Sequence, residues 1–221
     1  TNAHCSAWAL MSDYVTLSQP AFVLHQRPYR ETSLILDALS CDFGRISLIA
    51  KGVRKAKSTT AGILQPFTAL SLSFAGKSDL RTLTDAEPIG PPKELSGLAL
   101  YCGFYVNELV SHFLHKDDPH PEVFHDYQEC LSKLQLGAEI EAALRVFELN
   151  LMDNIGYGVN LSYDLHNGLP IKADKKYLFH KDIGLVVDTE GPFLGSALLA
   201  IEQSLFDDPN VLSTAKRLMR I

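Results

Sequence analysis

The sequence predicts an α+β protein: a small five-stranded antiparallel β-barrel or sandwich, followed by a mainly α-helical domain. Three observations carry this reading. From Ala21 to Glu87 short apolar stretches alternate with polar residues at period two, between turn-forming residues. At EPIGPP (87–92) the composition changes abruptly, with two adjacent prolines and a glycine making a stiff joint. Beyond that joint the apolar period becomes three to four residues, as on a helix face.

Residues 1–19 show no periodicity and contain an internal Met11, so they read as an N-terminal extension or a vector-derived remnant. AFVLHQ, from Ala21, is the first expected strand, and RPYRE supplies a turn through Pro28. SLILDALS (33–40) is the second, CDFG a tight turn, and RISLIAKG (45–52) the third. FTALSLSF (67–74) alternates strictly, setting Leu70, Leu72 and Phe74 against Ser71 and Ser73. AGKSD then turns the chain into LRTLTDAE (80–87). The β domain accordingly spans residues 20–88 and the helical domain 89–221.

Leu95 to Leu114 reads as a long helix with two apolar rows. Leu98, Tyr101, Tyr105 and Leu109 form one row, and Cys102, Val106, Val110 and Phe113 the other. A helix apolar over so much of its circumference is expected to be the central, buried one. HKDDPHP ends it, and Glu122 to Leu134 forms a second helix. Ile140, Leu144, Phe147, Leu151 and Ile155 place a third on an apolar stripe, with Gly156 where a left-handed cap belongs. Residues 157–192 are irregular, with strand-like YLFH and GLVVD. Ser196–Phe206 and Val211–Ile221 are helical again, and the last runs to the terminus without a stop signal, as a truncated chain would.

Hydrophobic residues make up 46% of the 221, which excludes a disordered or fibrous class. No apolar run approaches the ~20 residues of a membrane span. Cys5, Cys41, Cys102 and Cys130 are far apart and form no CxxC pair, so a zinc ribbon is unsupported. A cytoplasmic location is the expectation, and no membrane partner. The net charge of −6 conceals an asymmetry. Residues 1–81 hold nine basic and five acidic side chains, whereas the remainder holds eleven basic and twenty-one acidic ones. A basic N-terminal part joined to an acidic C-terminal part points to separate tasks.

The basic character concentrates in Gly44 to Phe67, where Arg45, Lys51, Arg54, Lys55 and Lys57 fall in a window free of Asp and Glu from Phe43 to Ser78. A strand that empties into a basic, flexible loop fits a nucleic-acid backbone contact; a solvated surface loop fits it as well. His112, His115, His120 and His125 cluster with Asp117 and Asp118, the residue types of a metal-dependent hydrolase. Pro119 and Pro121 make that stretch an interhelical loop, and no second ligand motif accompanies it. GxSxG, Walker A and GxGxxG motifs are absent, so nothing supports nucleophilic or nucleotide-driven catalysis. The expectation is a protein without cofactor, metal or catalytic residues, acting through binding energy.

The segments AFVLHQRPYRETSLILD, GRISLIAKGVRKAKST, LQPFTALSLSF, LYCGFYVNELV and ALRVFELNLMDNIGYGVN, in this order, resemble the bacterial RecO recombination mediator family over residues 20–221. The resemblance implies an OB-type (oligonucleotide-binding) barrel and a helical domain. It also implies DNA repair and recombination by binding single- and double-stranded DNA, annealing complementary strands, and helping RecA replace single-stranded DNA-binding protein (SSB), with RecR as partner. In an OB barrel the candidate phosphate contacts are Arg27, Arg30, Lys51, Arg54, Lys55 and Lys57, with Tyr29 and Phe43 as stacking or packing residues. Within ALRVFE, the resemblance assigns Arg145 to the acidic SSB tail, with Tyr105, Leu109 and Phe147 lining a groove. Lys216, Arg217 and Arg220 form a third basic cluster on the final helix. The alternative is a generic OB-type nucleic-acid binder without mediator activity. Many relatives carry a four-cysteine zinc module after the GYG turn; here Val159 to Lys181 has no cysteine, so this is a zinc-free variant. The family usually continues beyond the equivalent of Ile221.

Overall fold

A computed structural model describes residues 15–220. Five strands close into a barrel in the order β1-β2-β3-β5-β4: β1 (Val15–Tyr29), β2 (Ser33–Ser40), β3 (Gly44–Ala50), β4 (Ala69–Ala75) and β5 (Leu80–Pro88). All neighbours are antiparallel except β3 and β5, which pair in parallel over Ser47–Ile49. This closed strand order is the OB-type barrel expected from the sequence. A one-turn helix, α1 (Thr60–Ile63), joins β3 to β4.

The first strand is longer than its alternation indicates. Val15, Thr16 and Gln19 pair with Ala75, Phe74 and Leu72 of β4, so residues 15–19 belong to the barrel and not to an extension. The signal is hidden because the register shifts between Thr16 and Gln19, with Ser18 at φ 53, and a bulge breaks period two. Residues 1–14, including Met11, lie outside the described residues. The C-terminal half of β1 pairs with β2, so one long, bent strand closes the barrel on both sides.

Inward-facing Ala21, Val23, Leu36, Ala38, Ile46, Leu48, Ala50, Leu70, Leu72 and Phe74 fill the interior. Val53 and Leu64, from the connection between β3 and β4, are buried in the same cluster. Full burial of each large aliphatic side chain stabilises the barrel by about 1.5–3 kcal/mol.

Two helices, α2 (Gly97–Phe113) and α3 (Pro121–Leu136), belong with the barrel to a first compact unit that runs to Ala138. A second bulge, between Val23 and His25, turns Leu24 away from the interior and frees its carbonyl. Asn107 of α2 donates to that carbonyl at 2.9 Å and accepts from the Tyr127 hydroxyl of α3 at 2.6 Å, all three fully buried. Phe22 stacks against Phe124 and Tyr127 at 5.4 and 5.1 Å. The expectation that α2 is the central buried helix fails. It buries Ala99, Gly103, Val106, Asn107 and Val110, while Leu98 and Tyr101 are 66% and 74% exposed.

The second unit begins at Glu139. It contains α4 (Ile140–Asn154), short strands β6 (Tyr163–Asp164), β7 (Leu169–Pro170), β8 (Lys176–His180), β9 (Gly184–Val187) and β10 (Phe193–Leu194), then α5 (Gly195–Glu202) and α6 (Pro209–Leu218). Gly156, at φ 82, ends α4 as expected. Tyr157 N–H bonds the Met152 carbonyl and Gly156 N–H that of Asp153, the two bonds of a Schellman cap. Leu161, Ile171, Tyr177, Leu185 and Phe193 pack with Leu198, Ile201, Val211, Ala215 and Leu218 in one core. The irregular stretch is held by Asp164, which is 3% exposed. Its carboxylate accepts from the backbone N–H groups of His166, Asn167 and Val187 and from the Asn167 side chain. Those bonds outweigh the cost of burial and hold its pKa below the ordinary value.

Candidate nucleic-acid interface

The outer face of β1, β2 and β3 is set by register. His25, Asp37 and Ser47 form one row across the three strands, and Arg27, Ile35 and Ile49 the next. Tyr29 lies opposite Ser33, where the Arg30–Thr32 turn joins β1 to β2. Lys51 follows directly on β3. An open groove forms where these elements meet, lined by Arg30, Glu31, Thr32, Ser33, Ile49, Lys51, Gly52 and Lys55.

The basic segment is more ordered than a flexible loop. Arg54 N–H bonds the Thr32 carbonyl at 2.9 Å, and its guanidinium reaches the Arg30 carbonyl at 3.2 Å. Two further turns close with Lys55 N–H on Gly52 and Ser58 N–H on Lys55. With Val53 buried as an anchor, the segment is pinned against the β1–β2 turn. Alternation alone does not reveal this, because the partners come from residues 30–32.

All six expected phosphate contacts, Arg27, Arg30, Lys51, Arg54, Lys55 and Lys57, are exposed. None of them forms an ion pair with a described carboxylate. By contrast Arg45 is engaged with Asp37 at 3.1 Å and Arg81 with Asp117 at 2.7 Å. The groove gathers Arg30, Lys51 and Lys55; Arg27, Arg54 and Lys57 stand outside it. The Arg30 guanidinium lies 5.2 Å from the Tyr29 ring centre, and Tyr29 is half-buried. Phe43 meets Phe74 edge-on at 5.5 Å and packs on the barrel core, so it serves the interior. Ile35 and Ile49, half-buried on the outer face, escape sequence reasoning because an isolated outward isoleucine carries no signal until register places it beside cations.

The four residues assigned to a tail groove divide between the units. Tyr105 is 40% exposed and Leu109 half-buried on α2, both in the first. Arg145 and Phe147 lie on α4 in the second, and Phe147 is buried. Arg145 lies opposite the stripe of Ile140, Leu144, Phe147 and Leu151, a position that by periodicity alone faces solvent, yet it is buried. It is 8% exposed and its guanidinium bonds the buried Glu148 carboxylate at 2.8 Å. Of the third cluster, Lys216 pairs with Glu141 at 3.3 Å, Arg217 lies 5.5 Å from the Phe193 ring, and Arg220 is exposed. In the histidine-rich connection, Asp117 is paired with Arg81, and Asp118 lies 3.3 Å from His120. No group of three or more His, Cys, Asp or Glu among the described residues is arranged to hold a metal ion.

A closed five-stranded barrel of this strand order, with an exposed cationic segment between β3 and β4, places the first unit in the OB class. Residues 11–92 match the family model for the recombination protein O N-terminal region, and residues 95–202 that for its C-terminal region. DNA repair protein RecO of Coxiella burnetii is 44% identical over 207 residues, covering 92% of this chain and 89% of the relative. RecO of Actinobacillus pleuropneumoniae is 43% identical over 90% of this chain and 85% of its own length. RecO of Photobacterium profundum is 41% identical over 92% and 87%. The chain belongs to the RecO family. No helix among the described residues is long and apolar enough to cross a membrane.

Proposed function

We propose that this protein is a non-enzymatic DNA repair and recombination mediator. It binds single- and double-stranded DNA through the outer face of its barrel, anneals complementary strands, and helps load RecA onto SSB-coated DNA. RecR and the SSB C-terminal tail are its protein partners, with Arg145 of the second unit serving the tail, and the nucleoid is its place of action. One observation carries the DNA-binding reading: six exposed cations surround the β1–β2 turn and the segment after β3, none paired with a described carboxylate. Clustered cations not paired with carboxylates raise the local positive potential, which attracts a polyanion such as a phosphodiester backbone. The half-buried Ile35 and Ile49 give the same face an apolar floor for sugars and bases.

The test combines Lys51→Glu, Lys55→Glu and Lys57→Glu, three side chains with no described hydrogen bond or ion pair. Binding to single-stranded oligonucleotides should weaken, and the log–log salt slope should become shallower by about 0.7 per lost phosphate contact. Annealing of SSB-coated complementary strands should fall in parallel. An unchanged slope removes this face from the site. Intact binding by the parent protein without annealing on SSB-coated DNA leaves a generic single-strand binder.

A further inference from the structure

A second depression lies beside the groove on the same barrel face, lined by His25, Gln26, Arg27, Ile35, Asp37, Ser47 and Lys116, with Leu36 at its base. Seven of these eight residues come from β1, β2 and β3. Lys116 comes from the connection between α2 and α3, some sixty residues further along the chain than β3. Its backbone is fixed there. Residues Arg45 and Lys116 form a parallel bridge, Asp117 N–H bonds the Arg45 carbonyl at 2.9 Å, and the Asp117 carboxylate bonds Arg81 at 2.7 Å. The connection thus extends the sheet alongside β3, ahead of the point where β5 begins to pair at Leu80 and Ser47.

The charge of the depression follows from which groups are already engaged. Asp37 is its only lining carboxylate, and Arg45 holds it at 3.1 Å. Of the acids next to Lys116 in the chain, Asp117 is paired with Arg81, and Asp118 shares a hydrogen bond with the His120 ring at 3.3 Å and does not line the depression. Lys116 and Arg27 themselves form no ion pair with a described residue, and both are exposed. What faces the depression is therefore two uncompensated cations and an imidazole, beside Ser47 and Ile35 of the same outer face. That is a site for an anion with hydrogen-bond acceptors, and a phosphodiester is the anion that also matches the neighbouring groove.

The two hollows are joined by one row of the sheet. Arg27 pairs with Ile35, and Ile35 with Ile49, which lines the first groove. With strands about 4.8 Å apart, that row spans about 10 Å, short enough for one nucleic-acid strand to touch both. We infer that the depression framed by Arg27, His25 and Lys116 is a second phosphate subsite for a single nucleic-acid strand, and that Lys116 brings the α2–α3 connection into the barrel's binding face. This inference rests on the DNA-binding reading above and adds to it a contact residue outside the barrel.

The experiment compares Lys116→Ala and Lys116→Arg with Lys51→Ala/Lys55→Ala in the full chain, using oligothymidylate over a salt series. Because Lys116 is exposed and held by backbone bonds, melting temperature should not change. Expected is a several-fold loss of affinity for Lys116→Ala, with a salt slope shallower by about 0.7, and recovery in Lys116→Arg. Unchanged affinity and slope in Lys116→Ala, while Lys51→Ala/Lys55→Ala weakens binding, overturns the second subsite alone. A loss that Lys116→Arg does not recover also overturns it, since a phosphate contact needs only the positive charge. If none of the variants changes binding, the DNA-binding reading of the whole face falls with it.

Discussion

Arg45 reaches from β3 to Asp37 on β2, its Nε 3.1 Å from Oδ2, and its Nη1 continues to the carbonyl oxygens of Ser111 and Leu114 at the end of α2. One guanidinium therefore joins two strands of the barrel to the last turn of α2. The positive group also complements the negative end of the helix dipole. It is a half-buried basic residue in the most basic part of the chain, and the fold uses it.

Replacing Arg45 by Met keeps much of the stem's packing and removes the donors. It should destabilise the first unit by about 2 kcal/mol, the scale of hydrogen bonds to a charged group. Urea denaturation followed by tryptophan-independent far-UV signal measures this. Affinity for single strands should change less than in the Lys51→Glu/Lys55→Glu/Lys57→Glu variant.

Asn107 sits fully buried between the Leu24 carbonyl and the Tyr127 hydroxyl. Asn107→Ala leaves both without this partner and should cost about 3 kcal/mol; Tyr127→Phe removes one bond and should cost about 1–1.5 kcal/mol. A larger effect from Tyr127→Phe than from Asn107→Ala would contradict the network.

Gly44, at φ 63, lies where a Cβ would fall on the Asp118 carbonyl oxygen. Gly44→Ala carries both the left-handed strain and that collision, so a loss of at least about 2 kcal/mol is expected. The displaced connection carries Lys116, and the affinity for oligothymidylate should drop along with stability.

Arg145 and Glu148 form a buried pair on α4. Arg145→Ala alone should cost about 3 kcal/mol, since a buried carboxylate loses its guanidinium. Reduced binding of an SSB tail peptide by that single variant would not separate contact from fold. Arg145→Met/Glu148→Leu should regain most of the stability, and tail affinity measured on it by calorimetry decides the role of the guanidinium.

Asp164 has a folded pKa below its unfolded value, so its contribution is present above the unfolded pKa and is lost as pH falls through the folded one. The second unit should weaken from about pH 4 downward. Asp164→Asn should remove part of that acid dependence and lower stability at neutral pH. Asp153 runs the other way. Burial and the nearby Glu202 raise its pKa, so its protonation on acidification favours the fold. Melting temperatures between pH 3 and 7 for both Asn variants resolve the two signs.

The barrel was legible because its strands carry local signals. Period two in FTALSLSF and SLILDALS, and turn residues between them, depend on nothing beyond five or six neighbours. The bulged start of β1 was illegible for the same reason: Ser18 breaks the alternation, and only pairing with β4 shows that Val15 and Thr16 belong to the sheet. The basic segment could be found by its charge alone, whereas its pinning to Arg30 and Thr32 could not. For α2, apolar content overstated burial, because composition does not say which face meets the barrel.

Sequence alone determined the barrel strands β2 to β5, the change to a helical period beyond EPIGPP, the left-handed cap at Gly156 and the supply of cations, since each is encoded within a few consecutive residues. Tertiary structure alone decided which cations remain available. Arg45 and Arg81 are taken by Asp37 and Asp117, Arg145 is buried with Glu148, and Lys51, Lys55 and Lys116 stay uncompensated. Charge is a property of a residue, but its neutralisation depends on partners brought from tens of residues away.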